Sequence, residues 1–370
     1  MPNNAADIVE RDLSYICSRL VEEADALAGS RLLIVGGAGF LGHYLVQTIA
    51  HWNAGHHSEA IKLTVLDNYV RGMPNWLKRV EGTPGLTLRT VDIARALPTD
   101  LGDMDYVIHA ASIASPIYYR QHPIETMDAN VQGVRNLLDY ALERQQAGKG
   151  LKGLLFFSTS EIYGDPPPEE IPTPETFRGN VSCTGPRSCY DEAKRYGETL
   201  CVNFARQYGI PVTIARPFNN YGPGLKITDG RVVADFARDI LAGRNVALLS
   251  AGTPTRTFCY IADAVIGYYK ILIRGRPGEP YNIGTEEPEI SMRDLAELMV
   301  RVGKELFEYR GEVVQRISDD EDYLIDNPNR RCPQIAKARE ELGFAPSVGL
   351  EEGLRRSLIW YKANQQAEDR

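Results

Sequence analysis

The chain has 370 residues, 43% of them apolar and 24% charged, with a formal net charge of -8. That length and apolar share support one large or two intimate domains around a sizeable core and exclude global disorder. No run of about 18 apolar residues and no block of about five basic residues occurs, so neither a transmembrane helix nor a nucleic-acid-binding surface is expected.

The opening stretch, residues 1–28, spaces Ile8, Leu13, Ile16, Leu20 and Leu27 among charges at helical intervals. This predicts one amphipathic helix packed on the body of the protein or on a second subunit. Asp7, Glu10, Arg11 and Asp12 stand where an export signal needs apolar residues, so a cytoplasmic protein is expected. From Arg31 the rhythm changes. A strand is predicted over 31–35, then a glycine cluster, then a helix carrying Leu41, Leu45, Val46 and Ile49. Further strands are predicted over 62–66, 86–91, 106–109, 153–157 and 212–215. They close on Asp67, Asp92, Ala110-Ala111, Ser158-Thr159-Ser160 and Arg216-Pro217 respectively. Helical patterns fill 126–146 and 188–208. The alternation predicts an α/β fold with a doubly wound parallel (Rossmann) sheet over residues 29–220, whose ligands sit at the carboxyl ends of the strands. Beyond about residue 220 the pattern loosens. Helices over 231–242 and 291–304 and short strands over 245–249 and 278–283 suggest a smaller C-terminal substrate-binding lobe within 221–370, with part of that chain free to cross back to the sheet. The six cysteines are scattered with no C-x-x-C pair, so mostly buried thiols are expected, with no metal and no disulfide framework.

Gly36-Gly37-Ala38-Gly39-Phe40-Leu41-Gly42 lies between the first strand and its helix. Glycines let the backbone turn tightly and approach a pyrophosphate, whose charge a helix N-terminus favours. Gly36, Gly39, Phe40, Leu41 and Gly42 are therefore the expected holders of a dinucleotide. Asp67, with Asn68 after it, ends the second strand, where a carboxylate accepts from a ribose diol and repels a 2′-phosphate. That favours NAD over NADP. Asp92 and Ile93 read equally as an adenine contact and as a strand-ending turn. Ala110 leaves room for the dinucleotide, and His109 reads as a structural histidine.

Tyr190 and Lys194 are spaced i, i+4 and share a helix face. A nearby ammonium favours the phenolate, so the pair is expected to lower the Tyr190 pKa and to act as a base on a sugar or alcohol hydroxyl. The glycine loop before it, and Ser158-Thr159-Ser160 at a strand end between them, complete a candidate catalytic constellation.

Together these residues resemble the extended short-chain dehydrogenase/reductase family over nearly all of residues 31–362, and within it the UDP-glucuronate decarboxylases. The matching stretches are 37–42, 114–116, 158–166, 185–192, 219–223, 229–233, 256–258 and 326–331. The resemblance implies NAD-dependent decarboxylation of a nucleotide-activated uronic acid: oxidation at C4, loss of CO2 and re-reduction at C4. UDP-glucuronate would give UDP-xylose or its 4-keto intermediate. It also implies roles. Tyr190 takes the hydroxyl proton, Lys194 holds the nicotinamide ribose, and Thr159 bonds the C4 oxygen. Ser160 and Glu161 manage the carbon chemistry and reprotonation at C5, and Arg331 senses the carboxylate. Ser115, Tyr118, Asn219, Arg231 and Arg256 are implied on the nucleotide-sugar side, where guanidinium forks suit a diphosphate. A homodimer is implied as well. The 4,6-dehydratases of the family carry Asp before the Glu, a stronger acid than Ser160, and the 4-epimerases generally lack the glutamate. Decarboxylation is therefore the expectation, and 4-epimerase or 4,6-dehydratase chemistry the alternative. A protein that only sensed a dinucleotide would have no use for Thr159, Tyr190 and Lys194 together. Two features depart from the family pattern. An aromatic- and glutamine-bearing stretch before Arg256 is replaced by 249–255, and the N-terminal segment precedes the usual first strand.

Overall fold

Four apolar side chains in succession, Leu32 to Val35, leave a strand no face to show to water, so the segment is stable only when covered on both sides. The computed structural model, which describes residues 4–316, 318 and 325–368, buries all four completely. Residues 1–3, 317, 319–324 and 369–370, which fall in the first and last expected divisions of the chain, lie outside the described residues. In chain order the first elements are α1 (Ala5–Arg19), α2 (Val21–Leu27), β1 (Arg31–Val35), α3 (Phe40–Gly55), β2 (Lys62–Asp67), α4 (Asn75–Val80) and β3 (Leu86–Thr90). They continue with β4 (Tyr106–His109), α5 (Pro116–Gln121), α6 (Pro123–Gln146), β5 (Gly153–Phe157), α7 (Ser188–Tyr208) and β6 (Val212–Pro217).

The strands form one seven-stranded sheet in the order Pro280–Ile283, β6, β5, β4, β1, β2, β3, parallel throughout. The pleat sorts the side chains of β1. Leu32 and Ile34 pack with Tyr44, Leu45 and Ile49 of α3, whereas Leu33 and Val35 pack with Val134 and Leu137 of α6 and Phe204 of α7. Each such burial contributes about 1.5–3 kcal/mol. The chain runs outward from β1 to β3 and then returns to β4 on the other side of β1. The crevice at the carboxyl ends of β1 and β4 is where open α/β sheets take ligands. Val35 pairs with His109, so the glycine loop and Ala110-Ala111 leave the sheet side by side.

Part of the chain beyond 220 returns to the sheet: the helix Ile261–Arg274, which the sequence pattern did not reveal, packs against β5 and β6, and Pro280–Ile283 is the seventh strand of the sheet. This helix is buried around nearly its whole circumference, so it shows no polar face to reveal a helical period. The opening segment is not the one helix expected. Leu20 (φ -119°, ψ 27°) separates α1 from α2, and buried Leu20 and Leu27 turn the second helix onto the core.

The rest of the C-terminal chain contains the helices Val232–Leu241 and Met292–Leu306. It also holds a small sheet in which Thr255–Arg256 is flanked by Ile290–Ser291 and Arg330–Arg331. That sheet carries Arg256 and Arg331 towards the carboxyl ends of the main strands. Among the described residues no helix is long and apolar enough to cross a membrane.

Candidate active site

The glycine loop is glycine for steric reasons. Gly36 has φ +84°, and a Cβ there would stand 2.4 Å from the Ala111 nitrogen. A Cβ on Gly42 would meet the Gly37 carbonyl at 2.2 Å. Gly39 caps α3 with no side-chain bond, and no acid occupies the first turn. The N–H groups at Phe40 and Leu41 therefore remain donors for an anion. Asp67 braces the loop: Oδ2 accepts from Ala38 N at 2.9 Å and Oδ1 from Tyr69 N at 2.8 Å. Burial raises its pKa against those backbone bonds, and each oxygen keeps a lone pair for a diol. A tight glycine cradle, an uncapped helix start and a carboxylate ending the next strand fit a dinucleotide with a free ribose diol.

The neighbouring candidates are placed as follows. Asn68 is exposed, and its Oδ1 accepts from Val70 N at 3.1 Å. Asp92 Oδ1 accepts from Ala94 N at 3.1 Å in the turn after β3. Ile93 is buried against Gly133 of α6. Ala110 N donates to Val35 O at 2.8 Å. His109 is buried, and burial together with the Lys194 charge lowers its pKa to about 3, which keeps the ring neutral.

Helix α7 buries Tyr190, Asp191, Ala193 and Lys194 on one side. The Tyr190 ring stacks on Tyr119 of α5, 5.2 Å between centres and 7° between planes. Its hydroxyl bonds to Thr159, which caps the short turn Ser160–Tyr163 by accepting from Glu161 N at 3.2 Å. Ser160 is buried at the start of that turn. The expected lowering of the Tyr190 pKa is not found. Burial pushes it up to about 12, with the Thr159 bond and the Arg231 charge pulling the other way. Lys194 gives no help because its ammonium donates to Phe157 O at 2.6 Å, 5.8 Å from the centre of the phenol ring. Burial lowers Lys194 itself to about 7.

Glu161 lies two residues past that cap and collects cations. Arg331 grips it as a fork, with Nη2 donating to Oε2 at 2.6 Å and Nη1 to Oε1, while Arg187 donates to Oε2 from the start of α7. Burial opposes the charge on Glu161, but Arg187 and Arg331 outweigh it and hold the carboxyl at about 2. Asp191 Oδ2 stands 3.8 Å from Arg187 Nε, and burial plus the Glu161 charge push its acid up to about 8. The structure thus brings Thr159, Glu161, Tyr190 and Arg331 into one cluster. It adds Arg187, Asp191 and Tyr119, which sequence reasoning missed. The clue to Arg187 was its place three residues before Tyr190, at the head of the same helix.

Ser115 Oγ donates to Asp229 O at 2.5 Å, and the Arg71 guanidinium lies 4.4 Å from the centre of the Tyr118 ring. Asn219 adopts φ +42°, and its Nδ2 donates to Thr257 O at 2.8 Å. Arg231 stands 5.7 Å from the centre of the Phe40 ring. Arg256, expected on the nucleotide-sugar side, is largely engaged by the chain itself. Its Nη1 donates to Thr255 O at 2.7 Å and Asn329 O at 3.2 Å, and its Nη2 to Asn327 Oδ1 at 3.2 Å and Pro328 O at 2.5 Å. Only Nε of its five donors is left. The cause is the ladder between Thr255–Arg256 and Arg330–Arg331, which wraps residues 327–329 around the guanidinium. Burial and the Arg331 charge lower its pKa to about 9.

Comparison with known proteins follows the same lines. The sequence model of the NAD dependent epimerase/dehydratase family matches residues 32–284. The chain is 41% identical over 326 residues to UDP-glucuronic acid decarboxylase 3 of Arabidopsis thaliana, covering 88% of this chain and 86% of that protein. Among solved structures, the fold is similar to a dTDP-glucose 4,6-dehydratase of Streptomyces venezuelae with NAD bound (TM-score 0.77, 27% identity, 91% of this chain and 98% of the other). It is also similar to a UDP-glucose 4-epimerase of Thermotoga maritima (TM-score 0.75, 26% identity, 90% and 99%).

Proposed function

The chain belongs to the NAD-dependent epimerase/dehydratase family, and we propose that within it the chain decarboxylates a nucleotide-activated uronic acid, converting UDP-glucuronate to UDP-xylose or its 4-keto intermediate. The observation that carries this reading is Glu161, held by Arg187 and Arg331 one residue beyond Ser160 and beside the Thr159–Tyr190 pair. The decarboxylase similarity supports it over most of both chains.

Gly36, Gly39, Phe40, Leu41, Gly42, Asp67 and Lys194 would hold the cofactor. Bound NAD+ supplies a hydride acceptor for C4, which is restored at the end, and a positive charge that favours the phenolate. Tyr190 takes the proton of the C4 hydroxyl, with Thr159 bonding the same oxygen. The C4 ketone is then β to the C6 carboxylate. The C5–C6 bond breaks, CO2 leaves, and its bonding electrons form an enolate on C4 and C5. Arg331 steadies that charge. C5 receives a proton drawn from water, which the Ser160 hydroxyl and the Glu161 carboxylate are placed to relay. Tyr190 returns its proton to the C4 oxygen as C4 is reduced. A 4-epimerase or 4,6-dehydratase is the alternative on this scaffold. The hydroxyl of Ser160 is a poor acid for expelling a C6 hydroxyl, and an epimerase has no need for a carboxylate clamped by two arginines.

Ser115, Tyr118, Asn219 and Arg231 face the nucleotide sugar in this reading, and the chain divides into a dinucleotide-binding part over 29–220 and a substrate lobe drawn mainly from 221–370. A cytoplasmic homodimer completes it. Purified protein incubated with UDP-glucuronate and NAD+ should release CO2 and form a pentose nucleotide detectable by mass spectrometry. Formation of UDP-galacturonate without CO2 would transfer the assignment to an epimerase.

A further inference from the structure

After β6 the segment 222–231 crosses from the sheet to the substrate lobe, and it lies against three elements of the cofactor side at once. Gly224 (φ +91°) touches α3, where a Cβ would be 2.6 Å from the His43 ring. Gly230 (φ +81°) touches α5, where a Cβ would be 2.5 Å from Ile117 Cδ1. Between and beside them the contacts are polar. Lys226 Nζ donates to Arg71 O at 2.7 Å in the loop that follows Asp67. Arg71 Nη1 reaches back to Asp229 Oδ2 at 3.1 Å while its guanidinium lies on Tyr118. Ser115 Oγ holds the Asp229 carbonyl. Arg231 Nε stands 3.0 Å from the other Asp229 oxygen, an ion pair whose angle is too poor for a hydrogen bond. The Asp229 side chain is 5% exposed, so this carboxylate is a buried junction between two guanidinium groups on opposite sides.

We propose that segment 222–231 is a strap over the dinucleotide groove, that Arg71 and Asp229 are the positioning residues that fasten it, and that its task is to retain the cofactor through turnover. The inference rests on the NAD reading above. Both ends of the segment stand against the start of α3, just past the glycine loop, since Arg231 is over Phe40 and Gly224 is against His43. The loop after Asp67 is tied to its middle. A cofactor lying from Gly36 to Asp67 is therefore covered by chain that must lift before it can leave. Retention suits a reaction in which the sugar is oxidised and reduced again in one visit, because loss of the cofactor between the two steps strands an oxidised product. Breaking a buried charge pair acts mainly on dissociation.

The test is nucleotide content. Full-length protein and the variants Arg71→Met, Arg71→Lys and Asp229→Asn are passed through gel filtration, and the nucleotide released by acid is quantified by chromatography. Thermal unfolding in saturating NAD+ verifies that each variant folds. The unaltered chain should keep its NAD. Arg71→Met and Asp229→Asn should each lose at least about fivefold in occupancy, and their activity should come to depend on added NAD+. Arg71→Lys, which keeps the charge, should fall between. Wild-type occupancy in both Arg71→Met and Asp229→Asn overturns the proposal, as does an unaltered chain that loses its own NAD. A chain that holds NAD through the strap but releases no CO2 from UDP-glucuronate would sink the decarboxylase reading and leave the strap standing.

Discussion

Three guanidinium groups, Arg187, Arg256 and Arg331, act on the single ionised carboxylate of Glu161, and the acid of Asp191 beside them is pushed up to about 8 and so is largely uncharged at neutral pH. The cluster carries an excess of positive charge in a buried place, and an entering anion relieves it. A uronate carboxylate is such an anion, whereas a neutral hexose is not. Glu161→Gln keeps the shape of the side chain but removes its charge and its capacity to accept a proton. NAD+ binding should survive, since the glycine loop and Asp67 are untouched, while pentose formation should fall more than about tenfold. Unchanged CO2 release in this variant would reduce Ser160-Glu161 to a strand terminus. Thr159, Tyr190 and Lys194 could be picked out as candidates in the sequence because their pattern is local, a strand end and one helix face, and Glu161 through the family resemblance. The Tyr190 pKa was not legible, because it depends on how deeply the ring is buried and on which way Lys194 turns. Nor were the tasks of Arg187 and Arg256, which are set by contacts with residues far away in the chain.

At the scale of elements, α1 shows what the opening segment does. It packs on α3, on the helix Ile261–Arg274 and on the C-terminal helix Leu350–Glu368, joining the element that opens the cofactor site to the end of the chain. Its Asp12 is fully buried and accepts from Tyr44 and Tyr260 at 2.6 Å each and from Arg356 at 2.7 Å. Burial raises the Asp12 pKa even against those three partners. Asp12→Ala leaves Arg356 and two tyrosine hydroxyls without that partner, and loss of one member of a buried pair costs about 3–5 kcal/mol. A lowered urea midpoint should report it, and a midpoint equal to that of the unaltered chain would mean that Glu352, already bonded to Arg356 at 2.9 Å, compensates. The apolar spacing of α1 was plain in the sequence. The ion pair was not, because Asp12 reads as one charge among several on a solvated face. Strands β1 to β6 were legible as short apolar runs with polar ends. Ile261–Arg274 was not, since a helix apolar on every side has no period to betray it.

At the scale of the molecule, Glu161 also joins two parts of the chain. It follows β5 of the main sheet, whereas Arg331 comes from the small C-terminal sheet, so their fork crosses from one part to the other. That tie has a pH signature of known sign. The carboxyl of Glu161 is held at about 2 in the folded chain against 4.5 ordinarily. A depressed acid lends stability that is complete above its unfolded pKa and is lost as pH falls through the window between the two values. The loss should approach about 1.4 kcal/mol per pH unit inside that window. Other carboxylates titrate there too, but Glu161→Gln keeps them and removes this one. Asp191, whose acid the Glu161 charge helps push up to about 8, would titrate differently in that variant, so the comparison is made in chains that both carry Asp191→Asn, where the difference between Glu161 and Glu161→Gln isolates the tie. It should be constant from pH 7 down to about pH 5 and then narrow steadily toward pH 3.5. Denaturant unfolding of both proteins at matched pH values measures it. A gap that stays constant to pH 3.5 would mean that Glu161 is no more acidic in the fold than in the unfolded chain. The two arginines would then not be its working counter-ions.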